Sequence, residues 1–189
     1  MQNTKKEPAE LIIMGVDPGT IVMGFGIIKV TGKNAELLLM DHLLLSKFDS
    51  HALRLKKIFE RSLQLIETYL PDEIALEAPF YGKNVQSMLK LGRAQGVVMA
   101  AALSRDIPVT EYSPKKVKMA ITGNGNASKE QVAGMLKTLL KLNAMSIKLD
   151  ESDAVAVAMC HFYNRNKLHG GQAYSGWAAF VKKNPGRIK

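Results

Sequence analysis

Four acidic residues have the spacing and surroundings of a metal-dependent active site. Asp17 and Glu77 each end a short apolar run, and Asp150 and Asp153 stand three residues apart, just before an apolar segment. Two carboxylates at that spacing share one face of a helix. Clustered carboxylates are the usual oxygen ligands of Mg²⁺, and two such ions about 4 Å apart can activate a water and stabilise a leaving oxygen. The four acids therefore predict a two-ion site that hydrolyses phosphate esters.

Each of these acids also has an ordinary structural explanation. An aspartate before Pro18-Gly19 is commonly a turn residue, and acids at positions 150 and 153 would suit the dipole at the start of a helix. Glu77 is harder to explain in this way, because it follows the apolar residues 74–76 and a carboxylate rarely lies there without a partner. A set of purely structural acids stays open as an alternative on this pattern alone.

The charge balance favours a polyanionic partner. The 189 residues contain 26 Lys and Arg against 17 Asp and Glu, a net charge of +9. Such an excess is typical of nucleic-acid-binding domains, although general solubility is a second explanation. The 47% hydrophobic and 23% charged residues exclude a disordered, collagen-like or coiled-coil chain, so we expect a folded domain.

The cysteine content and the apolar runs predict a cytoplasmic protein without a membrane segment. Cys160 is the single cysteine, which excludes an intramolecular disulfide and a cysteine-based zinc site and indicates a reducing compartment. It lies in an apolar run and is expected to be a small core residue. The first apolar stretch, residues 11–16, is too short for a secretory signal or a membrane span.

The order of apolar segments predicts an α/β fold. Three consecutive strands form an antiparallel meander, and two later strands alternate with helices, which is typical of a mixed β-sheet covered by helices on both faces. Ligands of such sheets bind near the carboxyl ends of the parallel strands, where Asp17 and Glu77 lie. The predicted strands are residues 11–17, 23–30, 36–45, 73–77 and 108–112.

Capping residues predict where the helices begin. Ser50, Asn84, the pair Ser113-Pro114, and Ser128 with Gln131 three residues later are all helix-start signals. The predicted helices are residues 50–69, 84–105, 113–122, 128–142 and 151–165. The corresponding domain organisation is a disordered N-terminus at residues 1–10, one domain at 11–167 and a flexible basic tail at 168–189.

Four stretches, taken in order, resemble one nuclease family. They are MGVDPGTIVMGFGII, LEAPFYGKNVQSMLKLGRAQGVVMAA, VTEYSPKKVKMAITGNGNASKEQVAGMLKTLLKL and LDESDAVAVAMCH. Together they are similar to the RuvC Holliday-junction resolvases, a branch of the RNase H-like nucleases. The resemblance covers about residues 11–165, and it implies an RNase H-like fold.

The resemblance also implies an activity. Such a protein is expected to be a homodimer that binds a four-way DNA junction and cuts two strands of like polarity, leaving 5′-phosphate and 3′-hydroxyl nicks. The RuvA–RuvB branch-migration complex is an expected partner. Two Mg²⁺ ions per subunit are the expected cofactors, and Mn²⁺ is expected to substitute for them. The family's catalytic and metal-binding acids fall on Asp17, Glu77, Asp150 and Asp153, and its DNA-binding residues fall on Phe80, Lys118 and Lys129.

The chain departs from the family pattern in two places. Ala78-Pro79 replaces a more polar pair, which bears on the loop that would touch bases at the crossover. The position of Asp150 is sometimes histidine in the family, so that ligand is the most exchangeable of the four. His161 is interpreted as structural rather than as a ligand.

Structural explanations of the contact residues also stay open. Phe80 could pack on its own domain instead of stacking on an unpaired base, and the lysines at 115, 116 and 118 could form a solvated helix face. The small residues of the GRAQGVVMAAA run could pack on the sheet of the same chain or form a two-fold interface.

Three other functions compete with junction resolution. A related nuclease that acts on structured RNA would share the acids but prefer substrates with 2′-hydroxyl groups. An actin-like or sugar-kinase-like ATPase would use Asp17-Pro18-Gly19-Thr20 as a phosphate loop, but that fold needs two such domains and 189 residues are too few. A junction-binding module without catalysis would bind DNA and show no metal-dependent cutting.

Overall fold

The computed structural model describes residues 10–79, 84–142 and 149–170, without the side chains of residues 149–151 and 166–170. Its five-stranded sheet has the order β3-β2-β1-β4-β5, with β1, β2 and β3 antiparallel and with β4 and β5 parallel to β1. The predicted meander and parallel strands are therefore confirmed. The strands are β1 Glu10–Asp17, β2 Val22–Thr31, β3 Asn34–Leu44, β4 Glu73–Glu77 and β5 Val109–Tyr112.

Helices cover both faces of the sheet, as the sequence predicted. One face packs on α1 and α2 through a core that includes Met14, Phe25 and Leu76. The other face packs on α3, α4 and α5 through a second core that includes Ile13 and Ala75. The helices are α1 His51–Tyr69, α2 Val85–Leu103, α3 Pro114–Thr122, α4 Lys129–Leu139 and α5 Leu149–Gly170.

The predicted capping residues begin four of the helices. The side chains of Ser50, Asn84, Ser113 and Ser128 each accept a hydrogen bond from a backbone N–H in the first turn. Ser128 and Gln131 form the complete capping box. Each cap satisfies a backbone donor that the helix itself leaves without a partner.

Helix α5 lies directly on the backbone of β1 and β2. A Cβ atom added to Gly15 would come within 2.1 Å of the Ala154 carbonyl oxygen, and one added to Gly26 would come within 2.6 Å of the Val155 nitrogen. The absence of side chains at these two glycines permits this close approach. The helix begins at Leu149, two residues earlier than predicted, and runs to Gly170, so Asp150 lies in its first turn.

Cys160 is fully buried in the core, as predicted. Met14, Met23 and Met159 are also buried, whereas Met119 and Met135 are exposed, so the prediction that the methionines fill the core holds for only part of the set. Among the described residues, no helix combines the length and hydropathy needed to cross a lipid bilayer.

Candidate active site

Strand register brings Asp17 and Glu77 together. Val16 of β1 is in register with Leu76 of the adjacent parallel strand β4, so the two acids follow one position later at the same edge of the sheet. Side chains alternate between the faces of a strand, and Ala75 of β4 packs in the core beneath α5. Glu77, two residues later, therefore lies on the face covered by α5.

Asp153 reaches the same place from α5. Ala154, its neighbour in that helix, lies over Gly15 of β1, which precedes Asp17 by two residues. The three acids line one cavity of about 230 Å³. The complete lining is Asp17, Glu77, Pro114, Val117, Lys118, Lys129, Val132, Asp153 and Ala156.

The surroundings of Glu77 oppose its negative charge. Burial, together with the negative charges of Asp17 and Asp153, raises the pKa of this carboxyl to about 7, although Lys129 and Lys118 partly offset the rise. Carboxylates that repel one another in a half-buried site favour either protonation or a bound cation. This charge arrangement fits a divalent cation site.

Two lysines supply positive charge at the cavity. Lys129, in the first turn of α4, donates to the Asp153 carboxylate with 2.6 Å between Nζ and Oδ2. Lys118 lines the cavity from α3. Its neighbour Lys116 instead lies over the Tyr112 ring, with Nζ 4.8 Å from the ring centre, and the Lys115 side chain lies against Gly125. The lysine run of α3 therefore does not act as one uniform solvated face.

Five of the seven predicted site residues thus meet in one cavity: Asp17, Glu77, Asp153, Lys118 and Lys129. Phe80 lies outside the described residues, and the structure gives only the helical backbone of Asp150. Among the described residues, no group of three or more Asp, Glu, His or Cys side chains is already arranged to hold a metal ion.

A polar network behind the cavity was not anticipated from the sequence. His161 of α5 lies with Nδ1 2.8 Å from the Tyr112 hydroxyl and Nε2 2.5 Å from Glu73 of β4, and Arg165 donates to the same carboxylate at 2.7 Å. His161 is buried and does not line the cavity, and both of its ring nitrogens contact members of this network. The network joins α5 to the first residue of β4 and the last residue of β5, with partners 49 to 92 residues apart in the chain.

Comparison with known proteins agrees with this geometry. Residues 13–161 match the family model described as "Crossover junction endodeoxyribonuclease RuvC". The protein of that name from Christiangramia forsetii is 61% identical, over 96% of this chain and 94% of its own length. The protein of that name from Porphyromonas gingivalis is 56% identical, over 96% of this chain and 99% of its own length. The structure of Thermus thermophilus RuvC in complex with a Holliday junction substrate is 31% identical, covers 83% of this chain and 96% of its own, and superposes with a TM-score of 0.77. The chain therefore belongs to the RuvC family of crossover junction endodeoxyribonucleases.

Proposed function

We propose that this protein resolves four-way DNA junctions by metal-dependent hydrolysis of two phosphodiester bonds. The observation that carries the proposal is the cavity in which Asp17, Glu77 and Asp153 meet beside two lysines. Acids that hold divalent cations and basic side chains that bind phosphate are together suited to the metal-dependent hydrolysis of a phosphodiester. The junction bound by the Thermus thermophilus relative supports the choice of substrate.

The acids fit a divalent cation because they supply hard oxygen ligands and repel one another without it. In the proposed arrangement Asp17, Glu77 and Asp153 would hold the two cations, with Asp17 shared between them, and Asp150 would orient the attacking water. Two Mg²⁺ ions would supply a nucleophilic water and stabilise the leaving 3′ oxygen, and Mn²⁺ would substitute. The products would carry 5′-phosphate and 3′-hydroxyl ends.

Lys118 and Lys129 would bind the phosphates beside the bond that is cut. Their charges offset the repulsion between the acid cluster and the DNA backbone. Lys129 contacts Asp153 at 2.6 Å, and we propose that it moves from this carboxylate to a DNA phosphate when substrate and cation bind. Phe80, three residues after Glu77 in the sequence, would stack on an unpaired base at the crossover.

We propose that the protein acts as a homodimer through the outer face of α2. Val85, Leu89 and Leu103 expose 66%, 51% and 60% of their surfaces there. Nothing lies within 4 Å of the Cβ positions of Gly92 and Gly96 on the same face, so these glycines are not needed for packing inside the described chain. A two-fold axis through this face would give one active site for each of the two symmetric strands.

We propose a cytoplasmic location and the RuvA–RuvB branch-migration complex as a partner. The single, buried cysteine supports a reducing compartment. Membership of the RuvC family supports the partner. Co-sedimentation with the branch-migration proteins on a junction, compared with a mixture that lacks DNA, would test this assignment.

The proposed metal site is tested by titrating Mn²⁺ into the DNA-free protein by calorimetry, for wild type and Asp17→Asn. We expect Asp17→Asn to weaken binding at least about 10-fold and to lower the nicking rate by about 100-fold or more, because the residue would bridge both ions. Asp106→Asn is the matched control, since Asp106 is exposed in a left-handed turn that asparagine tolerates. Equal Mn²⁺ affinity and nicking in all three proteins would contradict the proposed site.

A further inference from the structure

A second group of cations lies outside the active-site cavity, between α1 and α2. It consists of Arg54, Lys90 and Arg93 around the His51 ring, and these four residues are here called the α1–α2 basic patch. The charges of Arg93, Lys90 and Arg54 all act on the His51 ring. Lys90 and Arg93 are exposed and lie three residues apart on α2, so they share one side of that helix.

The patch differs from the other cations of the same helices in having no acidic partner. On α1, Lys56 and Lys57 pair with Glu60, and Arg61 pairs with Asp41. Arg105, just beyond α2, pairs with Glu67. Within the described ranges no carboxylate pairs with Arg54, Lys90 or Arg93. Like charges that gather without a counter-charge raise the affinity of a surface for an anion.

Arg54 is held rigidly in this patch. Its guanidinium donates to the backbone oxygens of Phe48 at 2.9 Å and Thr20 at 3.1 Å. Burial lowers the pKa of His51, and the charges of Arg93, Lys90 and Arg54 lower it further, which favours the neutral ring. Its Nε2 atom is buried and has no hydrogen-bond partner among the described residues. Arg54 is therefore fixed in position, whereas Lys90 and Arg93 are exposed on α2.

The patch and the active-site cavity lie at the same edge of the sheet, on opposite faces. Thr20, which binds Arg54, follows Asp17 by three residues, and α2 begins eight residues after Glu77. The cavity is enclosed by α3, α4 and α5, whereas the patch belongs to α1 and α2. A DNA strand that crosses this edge would meet Lys118 and Lys129 on one side and the patch on the other.

We propose that the α1–α2 basic patch is a second phosphate-binding site, which holds the backbone of a junction arm where it leaves the active-site cavity. The inference rests on the proposed function, because it takes junction DNA as the ligand. Exposed lysine and arginine side chains bind backbone phosphates without reading sequence. The patch would therefore contribute to affinity and orientation, and it would take no part in hydrolysis.

The test compares Lys90→Gln/Arg93→Gln with Lys56→Gln/Lys57→Gln, a control that removes the same charge from α1 cations that are paired with Glu60. Binding to an immobile four-way junction is measured in EDTA at several salt concentrations. Each lost phosphate contact lowers the slope of log affinity against log salt by about 0.9, so the patch variant should lose about 1.8 and bind roughly 10-fold more weakly. The control should match wild type. At saturating junction with Mg²⁺, the patch variant should cut at the wild-type rate.

The inference is overturned if the salt slope of the patch variant equals that of wild type and the control. If the sedimentation coefficient of the variant changes as well, the patch is instead an interface between copies of the chain. The wild-type reaction separates this inference from the proposed function. If wild type cuts the junction and the slope is unaffected, only the patch assignment fails, whereas a wild type that neither binds nor cuts junctions would contradict the function itself.

Discussion

At the scale of single residues, Glu77 holds a charge that its surroundings oppose. Its pKa is raised from 4.5 to about 7 by burial and by Asp17 and Asp153. Well below pH 4.5 the carboxyl is neutral in both the folded and the unfolded chain. As the pH rises towards 7 the unfolded chain ionises first, so the folded protein loses stability across this window. The site is therefore strained electrostatically when no cation is bound.

Glu77→Gln should remove this loss of stability. We expect the metal-free variant to be more stable than wild type at pH 8 by about 2 kcal/mol, which raises the midpoint of thermal unfolding by about 4–8 °C, with a smaller difference at pH 5. Nicking should be lost, because a proposed ligand is gone. Thermal melts in EDTA at the two pH values measure the effect.

The exposed Glu36→Gln variant is the control for Glu77→Gln, and it should behave like wild type at both pH values. If Glu77→Gln were less stable than wild type at pH 8, the proposed repulsion among the three acids would be wrong.

At the scale of secondary-structure elements, the contact of α5 with the sheet sets the position of Asp153. An alanine at position 15 would place its Cβ 2.1 Å from the Ala154 carbonyl oxygen and 2.6 Å from the Ala158 nitrogen, both backbone atoms of α5. Side-chain adjustment cannot relieve such a clash. The helix itself would have to move away from β1.

Gly15→Ala should therefore reduce both stability and activity. We expect a loss of about 1–3 kcal/mol in the free energy of unfolding, and a nicking rate at least about 10-fold lower in the folded fraction, because Asp153 moves with α5. Urea unfolding and single-turnover cleavage measure the two effects. Gly134→Ala on α4, where nothing lies within 4 Å of the added Cβ, should be neutral or slightly stabilising. Wild-type cleavage by Gly15→Ala would show that α5 does not need this close contact.

The same elements show how much of the fold the sequence could predict. Helix starts were predictable because Ser50, Asn84, Ser113 and Ser128 act on backbone donors within their own first turns. Asp17 and Glu77 were predictable because both end strands at one edge of the sheet. In both cases the decisive interaction is local or follows from strand direction.

Other features depend on contacts that are distant in sequence, and these were missed. The His161–Glu73 contact joins residues 88 positions apart. Neither residue carries a local pattern that identifies its partner. The need for glycine at positions 15 and 26 likewise comes from the backbone of α5, about 130 residues later. The α1–α2 basic patch was missed for the same reason, since its members lie on two helices.

At the scale of the whole molecule, the outer face of α2 should control assembly. Leu89→Gln/Gly96→Gln should weaken self-association by about 100-fold, because each substitution occurs twice across a two-fold interface. Sedimentation velocity at micromolar concentration measures this change. Junction cleavage by the variant should stop after one nick, since the second active site is absent.

Met119→Gln/Gly134→Gln is the matched control for the assembly variant, because it replaces an exposed methionine of α3 and an open glycine of α4 with the same residue type. It should sediment like wild type. If both variants keep the wild-type mass at every concentration tested, α2 is not the interface.

The central claim, that the acid cavity cuts junctions in a paired and metal-dependent way, is tested most directly by mapping nicks. The protein is incubated with an immobile four-way junction or a linear duplex, with Mg²⁺ or EDTA, beside Asp17→Asn. We predict symmetric nicks that DNA ligase reseals, on the junction alone, lost in EDTA and in the variant. Tight binding of the junction without cleavage in Mg²⁺ or Mn²⁺, over several arm sequences, would contradict the account and leave a junction-binding protein whose acids are structural.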